Sequence, residues 1–172
     1  RYPVTLGEYL IYVNAIHAED PARAADLVPR SGQENYAILE GDHYIPHRAA
    51  LLEGEITQRY PVSEEHEGRL PVFGVSWFEA VLYCRWRSKR EGRLVSLPSE
   101  EQWEKAAGCF DQRIYPWGNR FDATFCKMGR SRPANELQPE PIGVFTADQS
   151  VYGMCDVVGC VSEWTLSMDP KE

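Results

Sequence analysis

The stretch VYGMCDVVGCVSEW, residues 151–164, decides how this chain is read. Its two acids, Asp156 and Glu163, stand seven positions apart, and Gly153 and Gly159 work against a helix through it. A hard cation such as calcium takes several oxygen ligands at once, which a non-helical loop offers as alternate backbone carbonyls between carboxylates at its ends. The spacing matches no EF-hand. The stretch is therefore either a hard-cation loop or an ordinary acidic turn, and the surrounding chain decides between them.

Working outward, a length of 172 residues supports one domain with a substantial core. The 18 basic and 26 acidic residues leave a net charge of -8, which opposes nonspecific binding to nucleic acid or anionic membranes and suits cation binding. Apolar runs are too short to span a bilayer, and no signal-peptide pattern is present. The chain opens on Arg1 rather than Met, so it reads as a fragment from which any targeting signal could have been removed. Five cysteines at irregular spacings, an odd number, argue against a disulfide framework and for a reducing compartment, with the cytoplasm as the default. Cys155 and Cys160 have a spacing open to a redox pair or a soft metal, against the commoner role of small buried residues.

Thr5 with Glu8 forms a capping box that opens a helix to about Ile16, with Leu6, Tyr9, Leu10 and Val13 on its core face and Pro21 as its outer limit. From Asp20 to Leu70 turns and charges dominate, with a hairpin expected where Tyr36 and Ile38 precede Glu40, Gly41 and Asp42. His43 and His47 are four apart, but Pro46 between them works against a zinc pair on one helical face. Ser76 with Glu79 opens a second helix whose stripe of Trp77, Ala80, Val81, Cys84 and Ser88 points to the core, and Gly92 closes it. A short strand is expected over Leu94–Leu97. Ser99 with Gln102 then opens a third helix to Gly108. Tyr115–Asn119 combine turn formers with large rings, an aromatic turn that fixes a long loop. Beyond Phe121 prolines and glycines fall among sparse apolar residues, so ordered loops follow.

Four of these segments form a recognisable order: PVFGVSWFEAVLYCRW (71–86), RLVSLPSEEQWEKAAG (93–108), YPWGNRFD (115–122) and YGMCDVVGCVSEW (152–164). Together with PVTLGEYLIYV (3–13), the chain resembles the formylglycine-generating enzyme and sulfatase-modifying factor family. The resemblance implies an α+β fold over residues 1–172, irregular and loop-rich, related to C-type lectins, with a few short helices and small antiparallel sheets. It implies structural calcium held by the side chains of Asp156 and Glu163 and the carbonyls of Val157, Gly159 and Val161. The chain departs from the pattern at Cys160, where the family usually has Asn, and at Ser162, where it often has Trp. A second calcium loop of some members would begin near Cys126, which stands in place of an Asn ligand.

Catalytic members convert a sulfatase cysteine to formylglycine with oxygen and copper(I), held by two cysteines in a segment that the resemblance places after Glu172. No catalytic residue is therefore assigned within residues 1–172. The loop GRSRPANELQPEPIGVFTADQSVYG (129–153) looks more like the non-catalytic branches: domains fused to bacterial serine/threonine kinases, and variable proteins of diversity-generating retroelements. The expectation is a sensory domain that binds a protein, peptide or small molecule, without nucleic acid and without membrane insertion. The alternative is the front part of a copper-dependent formylglycine-generating oxidase.

Overall fold

Thr5, Ser76 and Ser99 each stand three residues before a Glu or Gln, and each of these pairs starts a helix. The computed structural model describes residues 1–51, 64–111, 113–133 and 139–167. Helix α1 spans Leu6–Glu19. Its Thr5 hydroxyl accepts the Glu8 N–H at 3.2 Å while the Glu8 carboxylate accepts the Thr5 N–H at 3.0 Å. The same reciprocal cap opens the longest helix from Ser76 and the helix that starts at Glu100 from Ser99. Each cap satisfies backbone donors that a first helical turn leaves unpaired.

After α1 come α2 (Pro21–Asp26), β1 (Arg30–Ser31), β2 (Glu34–Asn35), β3 (Ala37–Glu40), β4 (His43–Pro46), α3 (Arg48–Leu51), α4 (Glu64–Gly68), α5 (Trp77–Glu91), α6 (Glu100–Ala107) and a 3-10 turn at Ala123–Phe125. The strands form two separate antiparallel hairpins, β1 with β2 and β3 with β4, so the fold is mixed α+β and rich in loops. The expected hairpin is β3–β4, in register from Ala37 opposite Pro46 to Glu40 opposite His43. No helix among the described residues is long and apolar enough to cross a membrane.

The core centres on α1, where Leu6, Tyr9, Leu10, Tyr12 and Val13 are buried. Tyr9 and Tyr12 meet Tyr83 and Trp86 of α5 with ring centroids 5.4–6.0 Å apart, in edge and tilted contacts that aromatic quadrupoles favour. This corrects the expected stripe on α5. The deeply buried residue of that helix is Tyr83, 5% exposed, while Trp77, Ala80, Val81, Cys84 and Ser88 are only half-buried. Apolar residues occur on more than one side of α5, so periodicity alone does not select the side that meets α1.

Two other expectations change. Pro21 bounds α1 but also starts α2, with Asp20 as N-cap accepting the Arg23 N–H at 3.1 Å and proline at a first-turn position where its missing N–H costs nothing. Leu94–Leu97 carries no strand. The Ser88 hydroxyl takes the Val95 N–H and donates to the Val95 carbonyl, supplying the partners a ladder would have given.

Polar ties join the hairpin and the later loops to the helices. Asn14 of α1 binds both the N–H and the carbonyl of Tyr44, at 2.6 and 3.0 Å. Backbone bonds run from Val72 to Val4, Ile142 to Arg69, Cys155 to Arg1 and Leu166 to Pro98. The Trp164 indole donates to the Val75 carbonyl and the Trp77 indole to that of Thr165. Because Asn14→Leu would strand both backbone groups of Tyr44, it is expected to lower unfolding stability by about 1–3 kcal/mol. Urea unfolding measures this, and an unchanged midpoint and slope would contradict the role given to Asn14.

Candidate functional site

Residues 148–163 have little regular structure, so their backbone donors need partners from elsewhere. Asp148 supplies the first. It is 1% exposed, and its two carboxylate oxygens accept the Val158 N–H at 3.0 and 3.1 Å. The N–H groups of Val157 and Gly159 also favour its charged form. Asp156, 5% exposed, supplies the second: its Oδ2 accepts the Gly143 N–H at 2.7 Å, while its own N–H donates to the Asp148 carbonyl at 2.8 Å. Burial pushes the proton affinity of both carboxyls up, against the opposing pull of these N–H groups.

The loop turns on two residues in the left-handed region, Asp156 at φ 58° and Cys160 at φ 77°. Asp tolerates this conformation better than most residues, whereas Cys160 has no such preference. The Cys160 N–H donates to the Lys127 carbonyl at 2.9 Å, which draws the loop tightly onto residues 126–128. Gly159 lies so close that a Cβ there would sit 2.2 Å from the Lys127 oxygen, a contact only glycine avoids. Beneath it Glu140, 2% exposed, pairs with Arg132 at 3.1 Å and lies 4.0 Å from the Lys127 ammonium.

Of the five expected cation donors, Val157, Gly159, Val161 and Glu163 line one groove of about 910 Å³, together with Trp103 and Glu100 of α6. Asp156 does not line it and stands behind the loop on Gly143. The Glu163 carboxylate accepts the Trp103 indole N–H. Burial raises its pKa, the indole bond opposes the rise, and the charge of Asp156 adds to it. The Gly159 carbonyl also accepts the Val161 N–H at 3.1 Å. Among the described residues no group of three His, Cys, Asp or Glu side chains is placed to hold a metal. A hard cation in this groove therefore depends on backbone carbonyls around Glu163, the oxygen-rich donor type that calcium accepts.

The cysteines are all free. The Cys155 thiol is buried and donates weakly to the Gly153 carbonyl at 3.7 Å. The Cys160 thiol is pushed up to about 12, first by burial and then by the charge of Asp156, and burial also raises the thiols of Cys84 and Cys126. Cys84 lines a second groove of about 1430 Å³ with Tyr83 and Met154, which shares Trp103, Cys160, Val161 and Glu163 with the first. Cys126, where a second loop was expected to begin, is fully buried, and its carbonyl accepts the Ser131 hydroxyl.

His43 and His47 go to different partners, His43 to Asp42 at 2.9 Å and His47 to the Asn35 carbonyl at 3.0 Å. The aromatic turn forms as expected. Tyr115 and Gly118 exchange backbone bonds, Asn119 accepts the Ile114 N–H, and the Tyr115 and Trp117 rings stack at 7°. Asp148 was absent from the expectations. In the sequence it lies within Thr146–Gln149, where an acidic residue reads as an exposed turn, and nothing local marks it as buried.

A family model described as "Sulfatase-modifying factor enzyme 1-like domain" matches residues 1–172. The chain is 39% identical over 106 residues to the inactive C-alpha-formylglycine-generating enzyme 2 of Mus musculus, covering 57% of this chain and 32% of that protein. It is 34% identical over 119 residues to the hercynine oxygenase of Mycobacterium tuberculosis, covering 66% and 26%. It is 36% identical over 109 residues to the formylglycine-generating enzyme of Thermomonospora curvata, covering 55% and 32%. The chain spans about a third or less of the length of these relatives. With the four sequence motifs and the mixed, loop-rich fold agreeing with a match along its whole length, the chain belongs to the sulfatase-modifying factor, or formylglycine-generating enzyme-like, domain family.

Proposed function

We propose that this chain is a non-catalytic binding domain of its family, with its loops braced by calcium at residues 156–163. The observation that carries the non-catalytic part is the similarity to a protein named inactive, and the state of the thiols within residues 1–172 agrees with it. Thiolate, not thiol, is the nucleophile and the soft-metal ligand. Cys84, Cys126 and Cys160 are all held toward the protonated form, and at Cys160 burial outweighs the Lys127 ammonium, which favours the thiolate. Family membership alone does not decide activity. A sensory role, attachment to a kinase and kinship with C-type lectins belong to this proposal. The ligand is a protein, peptide or small molecule.

The calcium part rests on four donors that line one groove. The Glu163 carboxylate and the carbonyls of Val157, Gly159 and Val161 would hold the ion, which would neutralise a loop crowded with acids. Asp156 contributes its charge from behind, since one of its oxygens is engaged with Gly143. A second reading, the front part of a copper-dependent formylglycine-generating oxidase, is favoured by similarity to a formylglycine-generating enzyme. In that reading copper would be bound outside residues 1–172.

Two measurements test the proposal. Full-length protein given copper(I), oxygen and a cysteine-containing sulfatase peptide is expected to leave the cysteine unchanged by mass spectrometry; formation of formylglycine would overturn the non-catalytic reading. For calcium, Glu163→Gln keeps an acceptor for Trp103 but removes a buried charge. Since the raised pKa of Glu163 means that stability is lost as pH rises above the ordinary carboxylate range, the variant in chelator at neutral pH should be at least as stable as wild type. Calcium at one hundred times its Kd should stabilise wild type by about 2.7 kcal/mol and the variant far less. Equal gains in both proteins, or none in wild type, would contradict the site.

A further inference from the structure

We propose that Asp148 is the positioning residue of the calcium loop, a buried carboxylate that turns the N–H groups of the loop inward and so presents its carbonyls to the groove. The inference rests on the calcium reading above. Its basis is the geometry of the peptide unit. No cis peptide occurs among the described residues, and in a trans peptide the N–H and the carbonyl that share a plane point in opposite directions. The Val158 N–H is aimed at Asp148, so the Val157 carbonyl in the same plane is aimed away from it. The Cys160 N–H is aimed at the Lys127 oxygen, which turns the Gly159 carbonyl away from Lys127 in the same manner. Val157 and Gly159 are two of the three carbonyl donors that line the groove.

The Val158 amide donates to both oxygens of the Asp148 carboxylate, and its neighbouring amides, those of Val157 and Gly159, favour the charged form of that carboxylate. Such a run of N–H groups forms a concave anion-binding nest, and here the anion is a side chain of the same protein. Asp148 touches none of the four groove donors through its own oxygens except by way of their backbone amides, so it acts through the loop and not on the ion. Asn in its place would lose the charge, keep one acceptor and bring an amide N–H up against the Val158 N–H that both carboxylate oxygens accept. Outer partners of metal ligands commonly contribute about 10- to 100-fold to affinity, which sets the scale expected here.

The test uses terbium(III) as a luminescent probe excited through tryptophan, displaced by calcium, on wild type, Asp148→Asn and Asn14→Leu. Asn14→Leu lowers stability far from the loop and controls for loss of stability alone. The expected result is calcium displacement about 10-fold or more weaker for folded Asp148→Asn and unchanged for Asn14→Leu. If wild type binds and Asp148→Asn binds equally well, the positioning role is overturned while the calcium reading stands. If wild type does not bind, both fall. Should Asp148→Asn fail to fold, Asp148→Glu keeps the charge and displaces it by one methylene: weaker binding supports the role, and wild-type affinity overturns it.

Discussion

Buried carboxylates that accept backbone N–H groups are the interaction on which the second half of this molecule depends. Residues 139–163 have almost no ladder or helix to satisfy their donors, and burying an unpaired amide costs free energy. Asp148 and Asp156 meet that need with charged acceptors, which bind N–H groups about twice as strongly as neutral ones. The arrangement has a cost. The pKa of each acid is raised by burial, and Glu163 on the groove side lies within reach of the charge of Asp156. A cation beside Glu163 would relieve that repulsion, which supports the calcium proposed there.

The loop is positioned by a framework of another kind. The α1 and α5 helices meet through a layer of Tyr9, Tyr12, Tyr83 and Trp86, which supplies a large apolar area with few side-chain rotamers to restrict. Single backbone bonds from Cys155 to Arg1 and from Ile142 to Arg69 carry that rigidity into the loops. The Trp103 indole links α6 to Glu163, so the groove has one wall on a helix and the other on the loop. Function in such a fold resides on the displayed loops.

Much of the framework was legible in the sequence. Thr5, Ser76 and Ser99 read as caps because capping is a local transaction between residues three apart, and all three open helices. The β3–β4 hairpin was legible from Gly41 for a similar local reason. Asp20 before Pro21 carried the same kind of signal for α2 and was read only as an end. Other features depend on partners remote in sequence. Whether Tyr83 or Cys84 meets α1 follows from the crossing of two helices, and Leu94–Leu97 lacks a ladder because the Ser88 hydroxyl replaces one. Asp148 was silent, since its amide partner Val158 lies ten residues away and becomes a partner only when the loop folds back.

The central claim is that carboxylate–amide bonds hold an irregular segment as firmly as regular structure holds a helix. Native-state hydrogen exchange of single amides measures this directly. The Gly143 and Val158 amides are predicted to exchange as slowly as that of Val13 in the buried centre of α1. Exchange as fast as that of the exposed turn residue Gly32 would show that Asp148 and Asp156 do not hold the loop.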